Sequence, residues 1–310
     1  MLYSPQPMHI PDGFLSLTVS IVCWVITTIT LSIAISRSNK SLGERQIPLM
    51  GVMAAFIFAA QMINFPVAGG TSGHLLGGAL AAITLGPWAG MLVMTAVIAV
   101  QGLLFQDGGL LVMGANILNM GLVTVVIGYG LYRAASGGKR TLRLTVAGIA
   151  AWLSVMAGAL FTSLQLWLSG TSQLQVVIPA MLAVHALIGV GEALITVAAL
   201  TLILQTRPDL LDENSASAKG SRGWVVAGVL IALVVVLLSP LASANPDGLN
   251  RVAMNLGFIH TAQTYIGPLA GYKVPFFESL SISKIAAGAI GLAVVGAVIV
   301  LLGQGLKAKS

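Results

Sequence analysis

Four histidines, His9, His74, His185 and His260, carry most of the chemistry open to this chain. His9 lies in Met8-His9-Ile10-Pro11-Asp12-Gly13, directly before the first apolar run. An α-amino group, the next backbone amide nitrogen and an adjoining imidazole can chelate one divalent metal ion. The chelate closes only when the histidine lies within a few residues of the free amine. Counted from Met1 the amine is eight residues away and the chelate fails; counted from Met8, His9 is the second residue and the three nitrogens are adjacent. The segment MLYSPQP has no evident structural role, so the expected start is Met8. The competing reading makes His9 an interfacial residue ahead of a membrane helix.

His74 ends a loop that runs from Asn64 through Gly69, Gly70 and Gly73. Glycine lets a backbone re-enter a bundle and approach a ligand closely. An imidazole placed beside the amine, the amide and the His9 ring would complete four nitrogens in a plane. Tetragonal nitrogen sites suit Ni(II) or Cu(II). The alternative for His74 is a helix-capping loop whose histidine meets water. His185 and Glu192 lie seven residues apart in one apolar run, and so share a helix face. An acid inside a span faces inward and marks function; the pair reads as support for the site or as a polar tie. Asn116, Asn119, Gln61 and Gln101 are the other polar residues in apolar runs, suited to interhelical hydrogen bonds. His260 falls in an outer loop, exposed, with at most a transient metal contact.

These residues need a frame, and composition says which kind. Of 310 residues, 57% are hydrophobic and 8% charged, with a mean hydropathy of +0.96. A soluble domain carries about 25% charged residues, so the chain is a polytopic membrane protein whose surroundings are the lipid bilayer. The net charge of +6 is explained by its location in cytoplasmic loops and implies no nucleic acid. The lone Cys23 sits in an apolar run, which excludes an intrachain disulfide and a thiolate metal site. No Walker P-loop, HExxH or CxxC occurs, so any ATP hydrolysis falls to other subunits.

A span needs about 20 apolar residues. Such runs occur at 14–36, 47–63, 109–132, 142–168, 176–205, 223–242 and 284–303, while 74–105 is interrupted at Gly86-Pro87-Trp88. Lys and Arg collect on the cytoplasmic side. The clusters after 14–36 and after 109–132 share that side only if 74–105 makes two crossings, a short one and a longer one. The expectation is an all-α bundle of about nine transmembrane helices, N-terminus outside and C-terminus cytoplasmic. Twelve of the fifteen basic residues then lie inside. No basic residue precedes the first run, unlike a cleaved signal peptide. Gly51, Ala55 and Ala59 form a small-residue stripe for internal packing or for docking a second membrane subunit. The expected domains are 8–206, a cytoplasmic linker at 207–222, and 223–310, two helices around an outer loop at 243–283.

Three stretches, MHIPDGFLS at 8–16, GGTSGHLLGGAL at 69–80 and HALIGVGEALIT at 185–196, resemble the CbiM/NikM family. That family is the substrate-capture component of nickel/cobalt energy-coupling-factor transporters. Pro246-Asp247-Gly248-Leu249, with Asn250 where a Glu is usual, resembles the PDGLE accessory domain. The resemblance implies a transport subunit, not an enzyme, that binds Ni(II) or Co(II) as substrate from outside. It places the metal on the amine of Met8, the amide and ring of His9 and the ring of His74. It implies a membrane coupling subunit and cytoplasmic ATPases as partners, a prokaryotic cell membrane as location, and no permanent cofactor. Two rivals stand beside it: an ion-coupled secondary metal transporter with Glu192 and His185 as proton relay, and a membrane enzyme subunit holding haem or a catalytic metal.

Overall fold

The computed structural model describes residues 7–41, 43, 46–135, 137–210, 223–263, 265 and 267–307. Residues 1–6 and most of the expected linker, 211–222, lie outside the described residues. In chain order the elements are α1 (Leu17–Ser41), α2 (Gln46–Gln61), β1 (Phe65–Val67), β2 (Thr71–Gly73), α3 (Gly78–Leu85), α4 (Pro87–Phe105) and α5 (Met113–Ala134). They continue with α6 (Arg140–Leu168), α7 (Leu174–Thr206), α8 (Gly223–Leu238), α9 (Gly248–Asn255) and α10 (Leu280–Lys307). The two strands form one antiparallel hairpin in which Phe65 pairs with Gly73.

The fold is a helix bundle with an apolar core, an apolar outer surface, and the polar residues of its apolar runs turned inward. Leu17, Ile21, Leu194 and Leu237 point outward, while Gln61, Gln101, Asn116, Asn119 and Glu192 are buried. Hydrocarbon surroundings favour this distribution, because a polar group facing lipid has no partner. Among the described residues seven helices are long and apolar enough to cross a membrane, and α2 is apolar but only 16 residues long.

The run at 74–105 breaks where expected, at Gly86 with φ 79° and at Pro87, the first residue of α4. The short member is shorter than a span. Eight residues of α3 rise only about 12 Å, against a hydrocarbon core of about 30 Å. Helix α3 is preceded by the hairpin and by a buried non-helical stretch, His74 to Gly77. Such backbone is tolerated at depth only inside protein, and every residue of α3 is buried.

The C-terminal helices α8 and α10 pack against α2. A Cβ built on Gly51 would stand 3.1 Å from Val300 of α10, and Ala55 and Ala59 are buried. The small-residue stripe therefore serves packing within the chain. Between α8 and α10 the segment from Ala242 to Ser279, which includes α9, lies against the hairpin and the residues before α1. In α5 a π-helical stretch, Ile117–Val123, follows Asn116. π stretches often sit at functional sites, and here both Asn116 and Asn119 turn into the bundle.

Candidate metal centre

Residues 8–12 do not form a helix, so their backbone groups need partners. The loop between α4 and α5 and the first turn of α5 supply them. The Asn116 side chain clamps Ile10 twice: Oδ1 accepts from the Ile10 amide and Nδ2 donates to its carbonyl, each at 3.0 Å. Gly109 also donates to the Ile10 carbonyl at 2.9 Å. One oxygen of Asp107 accepts from the Met8 nitrogen at 2.7 Å and from the His9 amide at 3.3 Å. Asp12 in return accepts from the amides of Leu110 and Val112. Gly108 between them has φ +103°, and a Cβ there would lie 3.0 Å from the Cβ of His9. Only glycine lets the two segments meet so closely.

His74 is held from the opposite side. Glu192, fully buried on α7, accepts from the amides of Leu76 at 2.6 Å and Gly77 at 2.8 Å, and Gln61 donates to the Leu76 carbonyl at 2.7 Å. Glu192 thus fixes the backbone two residues beyond His74, which is support for the site. Asn119 and Gln165 exchange reciprocal hydrogen bonds at 2.7 and 2.8 Å, a tie between α5 and α6.

These two supports bring the rings of His9 and His74 together, 5.4 Å between centroids and tilted by 47°. The rings are 2% and 6% exposed. The Nδ1 atom of His9 lies 3.1 Å from the Asp107 carbonyl, which can only accept, so Nδ1 carries the proton. The Nδ1 atom of His74 lies 3.1 Å from a carboxylate oxygen of Asp247. Both Nε2 atoms are buried with no hydrogen-bond partner among the described residues. Most buried polar atoms are paired, so these two ring nitrogens are candidates for an electron-pair acceptor. They border a cavity of about 50 Å³, also lined by Met8, Asn116, Asn119 and His185, with room for an ion.

Electrostatics separate the two rings. Burial holds the His9 imidazole below the ordinary histidine range, against an opposing pull from Asp107. Burial also works against a charged His74, but the Asp247 carboxylate and its hydrogen bond, with Asp107 and Glu192, outweigh it and raise His74 above that range. Burial opposes ionisation of Asp247, and the His74 ring overcomes this and holds the carboxyl below the usual carboxylate range.

The flat four-nitrogen cage is not formed in this arrangement. An amide nitrogen and its own imidazole close a small ring only through Nδ1, and the His9 Nδ1 faces the Asp107 carbonyl. The nitrogens of Met8 and His9 both face the Asp107 carboxylate. What stands together is a pair of imidazoles, with both backbone nitrogens gathered on one acceptor beside them. His185 borders the same cavity, its Nδ1 on the Met181 carbonyl. His260 is exposed on a turn at Ile259–Thr261.

Sequence reasoning missed Asp107, Asp247 and Tyr272, whose hydroxyl donates to the second Asp107 oxygen at 2.7 Å. One signal was available. Pro-Asp-Gly occurs twice, at 11–13 and at 246–248, and both aspartates cap backbone amides.

Comparison with known proteins places the chain in a family. Residues 9–210 match the CbiM family, described as a cobalt uptake substrate-specific transmembrane region, and residues 222–308 match the PDGLE domain. The chain is similar to the putative fused nickel transport protein NikMN of Archaeoglobus fulgidus, 36% identical over 95% of this chain and 96% of that protein. It is similar also to the fused nickel transport protein NikMN of Rhodobacter capsulatus, 28% identical over 97% of each. A crystal structure of a transition metal transporter superposes with a TM-score of 0.59 at 33% identity, covering 69% of this chain and all of that one. The chain therefore belongs to the CbiM family of metal-uptake membrane proteins, with a PDGLE domain at its C-terminal end.

Proposed function

We propose that this chain is the ion-capturing component of an ATP-driven importer of the energy-coupling-factor type, taking Ni(II) or Co(II) from the outer face of a prokaryotic cell membrane. The observation that carries this reading is the pair of buried, unpartnered Nε2 atoms of His9 and His74 on one small cavity. Neutral imidazole is the commonest protein ligand for such ions. Imidazole suits divalent transition metals as a class, and nickel and cobalt are the ions named for the fused relatives and for the family. Met8 supplies a third nitrogen when it is the first residue, because its nitrogen already stands beside the ring of His9. A metal bound there by the amine, the amide and Nδ1 of His9 requires that ring to leave the Asp107 carbonyl. Energy comes from partners, a membrane coupling subunit and cytoplasmic ATPases, because the sequence has no P-loop.

Calorimetric titration of the purified chain with Ni(II) and with Co(II) tests the site. His9→Ala and His74→Ala are each expected to abolish tight binding. Either variant binding as tightly as the parent overturns the reading. Uptake by cells then tests the coupling: it should require the co-expressed ATPases, and uptake sustained by a proton gradient alone would favour a secondary transporter.

A further inference from the structure

We infer that Asp247, a residue of the PDGLE domain, sets the orientation of His74 for the metal, so that the capture site is built jointly by both domains. The inference rests on the proposed capture role of His74 and adds a positioning residue from a different part of the chain. A histidine ring left to itself offers either nitrogen. A carboxylate on Nδ1 fixes the proton there and turns Nε2 outward as a lone pair, the arrangement that orients metal-binding histidines generally. Asp247 stands at 3.1 Å from Nδ1, with both side chains buried, and the orphaned Nε2 is the consequence.

Asp247 can do this because its own place is fixed from three directions. The Ser72 amide donates to the Pro246 carbonyl at 2.9 Å and the Ser72 hydroxyl to the Asn245 carbonyl at 2.8 Å. The turn is thereby bonded to the strand that leads into His74. The second carboxylate oxygen caps α9 through the Leu249 amide. Gly248 lies flat on α7, where a Cβ would stand 2.8 Å from Ile188, 3.0 Å from Val184 and 3.2 Å from His185. The same domain reaches the His9 side as well: Asn250 donates to the Pro7 carbonyl at 2.8 Å, and Tyr272 holds Asp107. A segment that only covered the bundle would have no reason to place its one buried carboxylate on the ring nitrogen opposite the cavity.

The test uses the full chain in detergent micelles, with nitrogen-15-labelled histidine and Ni(II) as probe. With only four histidines, His74→Ala assigns the His74 signals. In the metal-free parent at alkaline pH, the His74 ring is expected to carry its proton on Nδ1 with Nε2 bare. Asp247→Ala should lose that bias and weaken nickel binding by about 10- to 100-fold. Asp247→Asn keeps one acceptor oxygen, which can stay on Nδ1 while its NH2 group replaces the acceptor at the α9 cap, so it should recover part of the affinity that Asp247→Ala loses. A parent ring protonated on Nε2 overturns the inference, and so does a folded Asp247→Ala that binds nickel within about twofold of the parent. Should Asp247→Ala not fold, the parent spectrum and Asp247→Asn decide, the latter by showing the Nδ1 proton retained or lost. His9→Ala and His74→Ala in the same titrations keep the two ideas apart. If they bind normally, the capture reading fails; if they abolish binding while Asp247→Ala is silent, only the present inference fails.

Discussion

Glu192→Ala measures how strongly the bundle enforces the position of His74. Glu192 is fully buried midway along α7, and each of its oxygens accepts one backbone amide, at 2.6 and 2.8 Å. Removing the side chain strands both amides where no water reaches. Each stranded group costs about 1–3 kcal/mol, so the pair should cost about 2–6 kcal/mol. The stranded groups belong to Leu76 and Gly77, so the loop loosens beside His74 and nickel affinity should fall along with stability. Glu192→Gln keeps one acceptor oxygen but turns an NH2 group toward an amide donor, which should cost about 1.5–3 kcal/mol, one hydrogen bond to a charged group. Denaturant unfolding in detergent, followed by helical circular dichroism, reads stability, and calorimetric titration with Ni(II) reads the site. A Glu192→Ala protein within about 1 kcal/mol of the parent, less than one stranded amide should cost, refutes the reasoning. Glu192→Gln that keeps full stability and nickel binding but loses all transport would also refute it, because that is the behaviour of a proton relay.

His260→Ala should leave nickel binding intact, since that ring is exposed on a turn away from the cavity; loss of binding in calorimetry would move the site. Metal needs an unprotonated ring nitrogen, and His74 titrates above the ordinary histidine value of 6.5 while His9 titrates below it. Protons should therefore compete at His74 first, and affinity should begin to fall above pH 6.5 as pH drops, approaching about tenfold per unit once His74 is largely protonated; a flat titration series would contradict this. Asn116→Ala unpairs the amide and carbonyl of Ile10 on that side, and should destabilise the chain by about 1–3 kcal/mol while weakening nickel binding, both read as for Glu192. A variant beginning at Met8 should bind Ni(II) at least as tightly as the longer chain; weaker binding in the same titration would remove the amine from the ligand set.

The helices were legible because long apolar runs leave the backbone one economical solution in lipid, and Gly86-Pro87 marks its own break. Two features were not legible. A span-length test asks whether a helix crosses, so it has no category for α3, eight residues long, fully buried and preceded by a hairpin. The π-helical stretch at Ile117–Val123 reads as ordinary apolar helix, because its register is set by what Asn116 and Asn119 bond across the bundle rather than by local composition.

The site divides along the same line. His9 and His74 stood out by type alone, since an imidazole among apolar residues is costly and rare. Their partners Asp107 and Asp247 did not, since acids in loops are ordinary and most of them meet water. What sets these two apart is where the chain returns them, on ring nitrogens 98 residues away at His9 and 173 residues away at His74. No local pattern encodes those distances; they follow from α5 packing on α1, and from α8 and α10 packing on α2. That packing carries the loops between the helices over the mouth of the bundle. The type of a ligand is therefore a property of the sequence, whereas its orientation is a property of the assembled bundle. In this chain the orienting groups come from loops that the apolar runs only space apart.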